Sequence, residues 1–236
     1  MIWLLIILAI IVVSFVLAIR SMRTYKEIPT TKYPYGVFLI QNESLIFENG
    51  ILNKLYEFCS QSNAIVSLER LFNGPQKALV LFAPQNIGQF IPELALLEIE
   101  DYLSKNISQA IDKNNAVVWS IKPKDESKLN LKSEFMKNIQ LEEKQNFFWQ
   151  IMMTASKEDF HFQVNIRAMI IDSEVQKRVE LAKKVNSYIN ELSSLEKNSK
   201  SSDSITLLFD EYQKRVITPS EAEGFILSTQ TIKQLL

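Results

Sequence analysis

A long apolar segment at the N-terminus is the sequence feature that most restricts how this chain can fold. Residues Ile2 to Ile19 are apolar apart from Ser14, whose hydroxyl can bond to the helix's own carbonyl groups. Eighteen residues in a helix span about 27 Å, which matches the hydrocarbon core of a bilayer. We therefore predict a single transmembrane anchor over residues 1–20, which contacts membrane lipid through residues 2–19.

The residues that flank this segment predict its orientation. Only Met1 precedes it, whereas the stretch that follows carries four basic side chains and one acid: Arg20, Arg23, Lys26, Lys32 and Glu27. The positive-inside rule then places a single-pass protein in the cell membrane with its C-terminal domain in the cytoplasm. A cleaved signal peptide fits less well, because Arg20 stands where a cleavage site of small residues would end. Residues 21–34 contain two prolines and predict an extended tether.

The composition of the chain restricts the chemistry that it can support. Its 236 residues suffice for the anchor and one large domain or two small ones. A formal net charge of −1 gives no global field that would attract nucleic acid. With one cysteine, Cys59, and one histidine, His161, the chain can form neither an internal disulfide nor a Cys/His zinc site. The five glycines lack the spacing of a phosphate-binding or dinucleotide-binding loop.

After the tether, the apolar pattern predicts an α+β subdomain over residues 35–122. Its elements follow from periods of two and of about 3.6 residues: strand 36–41, helix 48–61, strands 64–72 and 77–83, helix 87–105 and strand 116–121. Asn73, Gly74 and Pro75 mark a tight turn between the two middle strands. The order β-α-β-β-α-β is that of a split βαβ, or ferredoxin-like, unit.

A charged stretch over residues 122–128 predicts a boundary before a second α+β subdomain over residues 129–236. Its pattern predicts the following elements: strands 147–155 and 159–171, a helix from Asp172 or Ser173 to about Leu195, a flexible loop 196–203, a short apolar run 205–209 and a helix start at 218–221. The predicted fold class is therefore α+β, with an N-terminal transmembrane helix followed by one or two ferredoxin-like subdomains.

Two elements of the second subdomain allow side chains to be placed. The second hairpin strand alternates between an apolar face, with Phe160, Phe162, Val164, Ile166, Ala168 and Ile170, and a face that carries His161, Gln163, Asn165 and Arg167. The helix that follows is predicted to bury Val175, Val179, Ala182, Val185 and Ile189. On its exposed side the i,i+4 spacing predicts two ion pairs, Glu174 with Arg178 and Glu180 with Lys184.

Few residues can carry catalysis or hold a metal ion, and each has a simpler structural interpretation. His161, with Asp159 two residues away, is a candidate general base, but a solvent-facing strand position is favoured. The carboxylates Glu98, Glu100 and Asp101 are of the type that binds hard metal ions. Their spacing spreads them around the predicted helix, which favours a solvated face. We therefore assign no catalytic, cofactor-binding or metal-binding residue and predict that the chain is not an enzyme.

The remaining candidates are a thiol, a basic group and an aromatic cluster. Cys59 lies on the apolar face of a predicted helix, which favours a buried, inert thiol. The densest basic group is partly neutralised by nearby glutamates, so any contact with nucleic acid is expected to be indirect; the group consists of Lys177, Arg178, Lys183 and Lys184. The aromatic cluster suits either an interface or, more simply, a strand buried on both faces; it consists of Phe147, Phe148 and Trp149.

Four segments carry a family resemblance that spans most of the chain after Tyr35. A strand, a proline and a helix follow one another from Lys77 to Pro84 and beyond, and an acidic turn leads into a strand over residues 141–152. Residues 162–167 precede a long helix, and Leu-Leu-Phe follows at 207–209. In these features the chain resembles membrane-anchored proteins encoded beside conjugative, type IV secretion-like ATPases in candidate-phyla bacteria. Their soluble region is similar to the N-terminal, non-ATPase part of the secretion ATPases.

The resemblance implies a non-enzymatic component of a conjugation or type IV secretion-like assembly. Such a component would serve as a docking platform for a cytoplasmic motor ATPase or other subunits of the secretion complex. Two other hypotheses stay open at this point. One is a membrane-tethered enzyme that uses carboxylates or His161, and the other is a binding module on the opposite side of the membrane.

Overall fold

A computed structural model of the chain describes Ser14 and residues 32–48, 50–103, 115–123, 135–191, 195–197, 202–217 and 226–236. The predicted anchor lies outside the described residues apart from Ser14, and so do the predicted tether as far as Thr31 and the predicted helix start at 218–221. Within the described ranges, no helix combines the length and the apolar character that crossing a membrane requires.

The described residues form a mixed α+β fold, which confirms the predicted class. The strands are β1 (Tyr35–Ile40), β2 (Val66–Asn73), β3 (Gln76–Pro84), β4 (Leu96–Ile99), β5 (Ala116–Pro123), β6 (Asn146–Ala155), β7 (His161–Ile171), β8 (Leu195–Lys197) and β9 (Ile226–Ser228). The helices are α1 (Glu43–Ile46), α2 (Ile51–Ser62), α3 (Ile87–Phe90), α4 (Phe135–Asn138), α5 (Val175–Glu191), α6 (Ser202–Lys214) and α7 (Thr229–Leu235), with a 3-10 turn at Pro92–Leu94.

All nine described strands belong to one sheet whose pairings are antiparallel. The strand order is β4-β1-β3-β2-β6-β7-β5-β8, and β9 pairs with the beginning of β7. The two central strands, β2 and β6, are in register from Val66 opposite Met153 to Asn73 opposite Asn146. This long pairing joins the two halves of the chain into one continuous sheet.

Helices cover both faces of this sheet. On one face the main core packs α2, α5 and α7 against the strands; representative side chains are Leu55, Val185 and Ile232 on the helices and Leu68, Trp149 and Ile166 on the strands. On the other face α6 lies over the second half of the sheet and places Leu208, Phe209 and Tyr212 against Val118, Phe148 and Met169. β6 and β7 are therefore buried on both sides along most of their length.

The predicted helix over residues 87–105 is wrong. Its first part is only the short α3 and the 3-10 turn, and Ala95 then takes a left-handed conformation with φ 47°. The chain continues as β4, in which Leu97 pairs with Leu39 of β1. Apolar residues at helical spacing misled the prediction, because pairing with the open edge of β1 decided the local structure.

The arrangement of several elements in the second half also differs from the prediction. Residues 116–121 lie in β5, as predicted, but β5 pairs with β7 and β8 rather than completing the first β-α-β-β-α-β unit. The run 205–209 lies in helix α6. Part of the predicted loop 196–203 belongs to β8 and part to α6. In each case the contacts with the sheet, rather than the local pattern, decide the structure.

Two side chains that were predicted to be buried, and one that was predicted to lie on an apolar strand face, are exposed. Val175 and Val179 face solvent, because α5 buries the stripe that contains Leu181, Val185 and Tyr188 instead. Phe160 precedes β7 in the turn, with a φ of 58°, and is 43% exposed. Strand alternation therefore begins only at His161. The other residues of the predicted apolar face do lie in the main core: Phe162, Val164, Ile166, Ala168 and Ile170.

The β2–β3 turn requires a glycine at position 74. Gly74 has a φ of +54°, in the left-handed region that costs residues with a Cβ about 1–2 kcal/mol. A Cβ built at this position would lie 3.1 Å from the Cα atom of Glu143, on the segment that leads into β6. The Gly74 amide donates a hydrogen bond to the Gln145 carbonyl over 2.9 Å. The turn therefore packs directly on the neighbouring half of the sheet.

Substitution of this glycine is expected to lower stability selectively. Gly74→Ala should decrease the free energy of unfolding by about 1–2 kcal/mol, because it adds left-handed strain and crowds Glu143. Gly88→Ala is the matched control: Gly88 lies in α3 with open space around its Cβ position, so a change of under about 1 kcal/mol is expected. Urea unfolding of both variants, followed by tryptophan fluorescence, measures the difference. Equal losses of stability would contradict this role of Gly74.

Candidate functional site

A row of polar side chains crosses the middle of the sheet on the face that α6 covers. Glu69 on β2 lies opposite Gln150 on β6, which in turn lies opposite Arg167 on β7. All three are fully buried. Strand alternation explains the row, because each residue points away from the main core while its neighbours along the strand point into it. Buried charges require partners, and these come from α6 and from the segment after β4.

Arg215, directly after α6, is bound to two carboxylates. Its Nε and Nη2 atoms lie 2.8 and 3.2 Å from the two oxygens of Glu69. Its Nη1 and Nη2 atoms lie 2.7 and 3.0 Å from the two oxygens of Asp101. The guanidinium group also stacks over the ring of Phe82, 4.6 Å from the ring centre. Arg215 thus joins α6 to β2 and to the end of β4 through bidentate pairs.

Glu69 receives two further hydrogen bonds from neutral donors. The hydroxyl of Tyr102 donates to Glu69 over 2.6 Å, and the side-chain amide of Gln150 donates over 3.0 Å. Burial and the nearby Glu69 charge raise the pKa of Tyr102 well above its usual value, so this hydroxyl keeps its proton. Burial alone would lower the pKa of Arg215, but the Glu69 carboxylate raises it well above its usual value. The arginine therefore stays charged.

Arg167 binds the end of α6 from the sheet side. Its Nη1 atom donates to the main-chain oxygen of Glu211 over 3.1 Å, and its Nη2 atom donates to that of Val216 over 2.5 Å. The Glu211 carboxylate lies 3.9 Å from the same Nη2 atom. The last carbonyl groups of a helix lack hydrogen-bond partners within the helix. A cation at this end also interacts favourably with the negative end of the helix dipole.

Together these residues form the central charge cluster, which consists of Glu69, Asp101, Tyr102, Gln150, Arg167, Glu211 and Arg215. Asp101 keeps 36% of its side chain exposed, whereas Glu69, Arg167, Glu211 and Arg215 are at most 2% exposed. The buried charges are turned towards one another and towards the end of α6. Chemically, this arrangement suits the attachment of α6 to the sheet better than the binding of a small molecule.

A charged cleft of about 600 Å³ lies at the end of the sheet beside the β2–β3 turn. Lys177 on α5 binds Glu142 over 3.0 Å and Glu174 over 3.1 Å, and hydrogen bonds from the lysine to these two carboxylates raise its pKa. At the base, the buried Asp172 accepts hydrogen bonds from the Gln145 side chain and from the Glu174 amide. These charged groups of the cleft are thus paired locally. Among the described residues, no three His, Cys, Asp or Glu side chains are grouped so that they could hold a metal ion.

The residues considered for catalysis and for metal binding do not come together in the structure. The His161 ring shares a hydrogen bond with the main-chain oxygen of Asp159, 2.8 Å from its Nδ1 atom, rather than with the Asp159 carboxylate. The predicted helical face of Glu98, Glu100 and Asp101 is wrong, because Glu98 lies on a strand and the other two residues follow it. Of these carboxylates, Asp101 joins the central charge cluster through Arg215.

The remaining candidates take mostly structural positions. Cys59 is 1% exposed, and burial raises its pKa, which confirms a buried thiol. The aromatic cluster is buried on both faces of β6, as the simpler interpretation predicted; it consists of Phe147, Phe148 and Trp149. Lys184 pairs with Glu180 over 3.1 Å, as predicted. Arg178 instead donates to the main-chain oxygen of Asp172 over 2.6 Å, and Glu174 pairs with Lys177.

Sequence reasoning missed most of the central charge cluster. Glu69 gives no clear signal, because Ser67, Arg70 and Asn73 also make β2 a strand of mixed polarity. The predicted position of Arg167 on the polar face of its strand is correct, but α6 covers that face. Arg215 gives no signal, because 146 positions of sequence separate it from Glu69.

Comparison with known proteins does not identify a family for this chain. No protein-family model matches the chain, and a search of curated proteins finds no match. Functional inference therefore rests on the residues themselves.

Removal of Arg215 is expected to destabilise the fold strongly. Arg215→Ala leaves the buried Glu69 carboxylate without its cation, and such a change typically costs about 3–5 kcal/mol of unfolding free energy. Lys54→Ala, which breaks the exposed Lys54–Glu93 pair, is the control and should cost at most about 1 kcal/mol. Denaturant unfolding of each variant measures both values.

A rescue variant identifies the cause of that loss. Glu69→Gln added to Arg215→Ala should restore part of the stability, because it replaces a buried charge by a neutral amide. If Arg215→Ala behaves like Lys54→Ala, or if Glu69→Gln deepens the loss, the cluster does not hold α6 on the sheet by charge.

Proposed function

We propose that this chain is a non-enzymatic, membrane-anchored component of a conjugation or type IV secretion-like assembly. Residues 2–19 would hold it in the cell membrane, and its α+β region would dock a cytoplasmic motor ATPase. The apolar N-terminal segment with its basic flank supports the anchor and the orientation. The resemblance to membrane-anchored proteins encoded beside secretion ATPases supports the partner.

The continuous sheet is the observation that best supports a docking role. A docking surface must keep its shape, and β2 and β6 pair along their length to join both halves of the chain. The central charge cluster adds α6 to this frame through Arg215 and Arg167. Its buried charges are engaged in structural contacts, which favours a rigid interaction module over a carboxylate-based enzyme.

We propose further that the sheet consists of two ferredoxin-like units. The first half has the strand order β4-β1-β3-β2 with α2 between β1 and β2. The second half has the order β6-β7-β5-β8, which is the same pattern when β5 to β8 are counted as its first to fourth strands. Both halves thus support the split βαβ arrangement. In this division the boundary lies between residues 103 and 115, earlier than the charged stretch 122–128.

Recovery of the partner tests the proposed function. Full-length tagged protein, purified from its native membranes in mild detergent, should enrich a motor ATPase over an unrelated tagged single-span protein prepared in parallel. Mass spectrometry of both eluates provides the measurement. If neither an ATPase nor another subunit of a membrane complex is enriched, the docking role is contradicted.

Labelling of an introduced cysteine tests the orientation. Cys59 is buried with a raised pKa, so it should stay unreactive in the folded protein. Lys157→Cys places a thiol in the exposed β6–β7 turn. A membrane-impermeant maleimide should label this variant only after the cells are permeabilised, and unmodified protein provides the background. Labelling in intact cells would place the domain outside and support the extracytoplasmic alternative.

A further inference from the structure

An apolar patch lies on the first half of the sheet, on the same face that α6 covers in the second half. We call it the β1–β4 patch; it consists of Tyr35, Val37, Leu39, Leu97 and Ile99. Pairing places Val37 opposite Ile99 and Leu39 opposite Leu97, so these side chains share one face. Leu97 is 49% exposed, and Tyr35, Leu39 and Ile99 are partly exposed around the buried Val37.

The second half of the sheet shows how an equivalent surface is covered. Val37 pairs with Phe82 of β3, as Val118 pairs with Met169 of β7 at the matching position of the other half. Helix α6 lies on Val118 and Met169 with three apolar side chains at positions i, i+1 and i+4: Leu208, Phe209 and Tyr212. A helix with this pattern is therefore the element that such a sheet surface accepts within this molecule.

The patch continues directly from the interface that α6 forms. Arg215, the residue after α6, stacks over Phe82, and Phe82 stacks on Tyr35 with 4.9 Å between ring centres. The α6 interface and the β1–β4 patch thus meet at Phe82. Because a helix is about 10 Å across, the C-terminal end of α6 stands above the sheet beside the patch.

The end of α6 beside the patch restricts which partners can bind there. Two copies of the sheet could not stack face to face over the patch, since α6 would hold them about a helix diameter apart. A planar bilayer surface fits poorly for the same reason. A single helix from another protein, lying beside the end of α6, fits the space and the apolar character.

We propose that the β1–β4 patch binds an amphipathic helix of a partner protein. The helix presents apolar residues at i, i+1 and i+4, as α6 does. This proposal rests on the proposed function for the identity of the partner, which is then the motor ATPase. It adds the surface and the recognition element that the docking role requires.

Site-specific photo-crosslinking in native membranes tests the proposal. A benzophenone amino acid replaces Leu97 in the full-length protein, and the same probe at Val179, which is exposed on α5 across the sheet, is the control. The probe at position 97 should cross-link to the ATPase, and peptide mapping should place the product in an amphipathic helix. The probe at position 179 should give no such product.

Matched charge substitutions give a second readout. Leu97→Asp should reduce recovery of the ATPase by at least about tenfold, whereas Val179→Asp should leave it unchanged. Both variants should retain the unfolding midpoint of the original protein, because both side chains are about half exposed. Equal recovery with Leu97→Asp would overturn the proposal.

The outcomes also separate this proposal from the proposed function. Products at position 97 with another segment of the same chain, a second copy, lipid or a non-helical segment of a partner would overturn the helix-binding patch. Recovery of the ATPase without a cross-link to it from position 97 would overturn the patch and leave the docking role standing. A cross-link to an amphipathic helix of a different protein, with no ATPase recovered, would uphold the patch and overturn the assigned partner.

Discussion

The Glu69 carboxylate is buried at the centre of the sheet, and several other elements supply the hydrogen-bond donors that it needs. A charge removed from water costs several kcal/mol unless donors surround it. Here the donors come from three separate places: Arg215 after α6, Tyr102 after β4 and Gln150 on β6. The same carboxylate thus ties the first half of the chain to the second half and fixes where α6 ends.

The position of this cluster explains why the two halves of the sheet differ on the face that α6 covers. Arg167 and Arg215 hold the C-terminal end of α6 over the central strands, so the body of the helix lies over the second half. On the first half, Arg215 covers Phe82, whereas Leu97 on the edge strand β4 is 49% exposed. An electrostatic attachment at the middle of the sheet therefore leaves β1 and β4 with an apolar face that α6 does not reach.

Sequence periodicity predicts the elements whose local pattern agrees with their tertiary surroundings. The β6–β7 hairpin and α2 are predictable because apolar residues repeat there at periods of two and about 3.6. The segment from Phe90 to Leu97 has helical spacing, yet β4 forms because β1 offers an open edge. The run 205–209 is short enough to suit a strand or a helix, and the contacts of α6 with the sheet decide for the helix.

The central charge cluster escapes prediction for a different physical reason. Alternation along β7 correctly separates Ile166, which points into the main core, from Arg167, which points to the opposite face. A polar side chain on that opposite face suits either water or a buried partner, and only the element that covers the face decides between them. The partners of Arg167 are carbonyl groups at the end of α6, 44 and 49 positions further along the chain. The segment that buries a charged strand residue can thus lie far along the chain, and the strand's own sequence does not identify it.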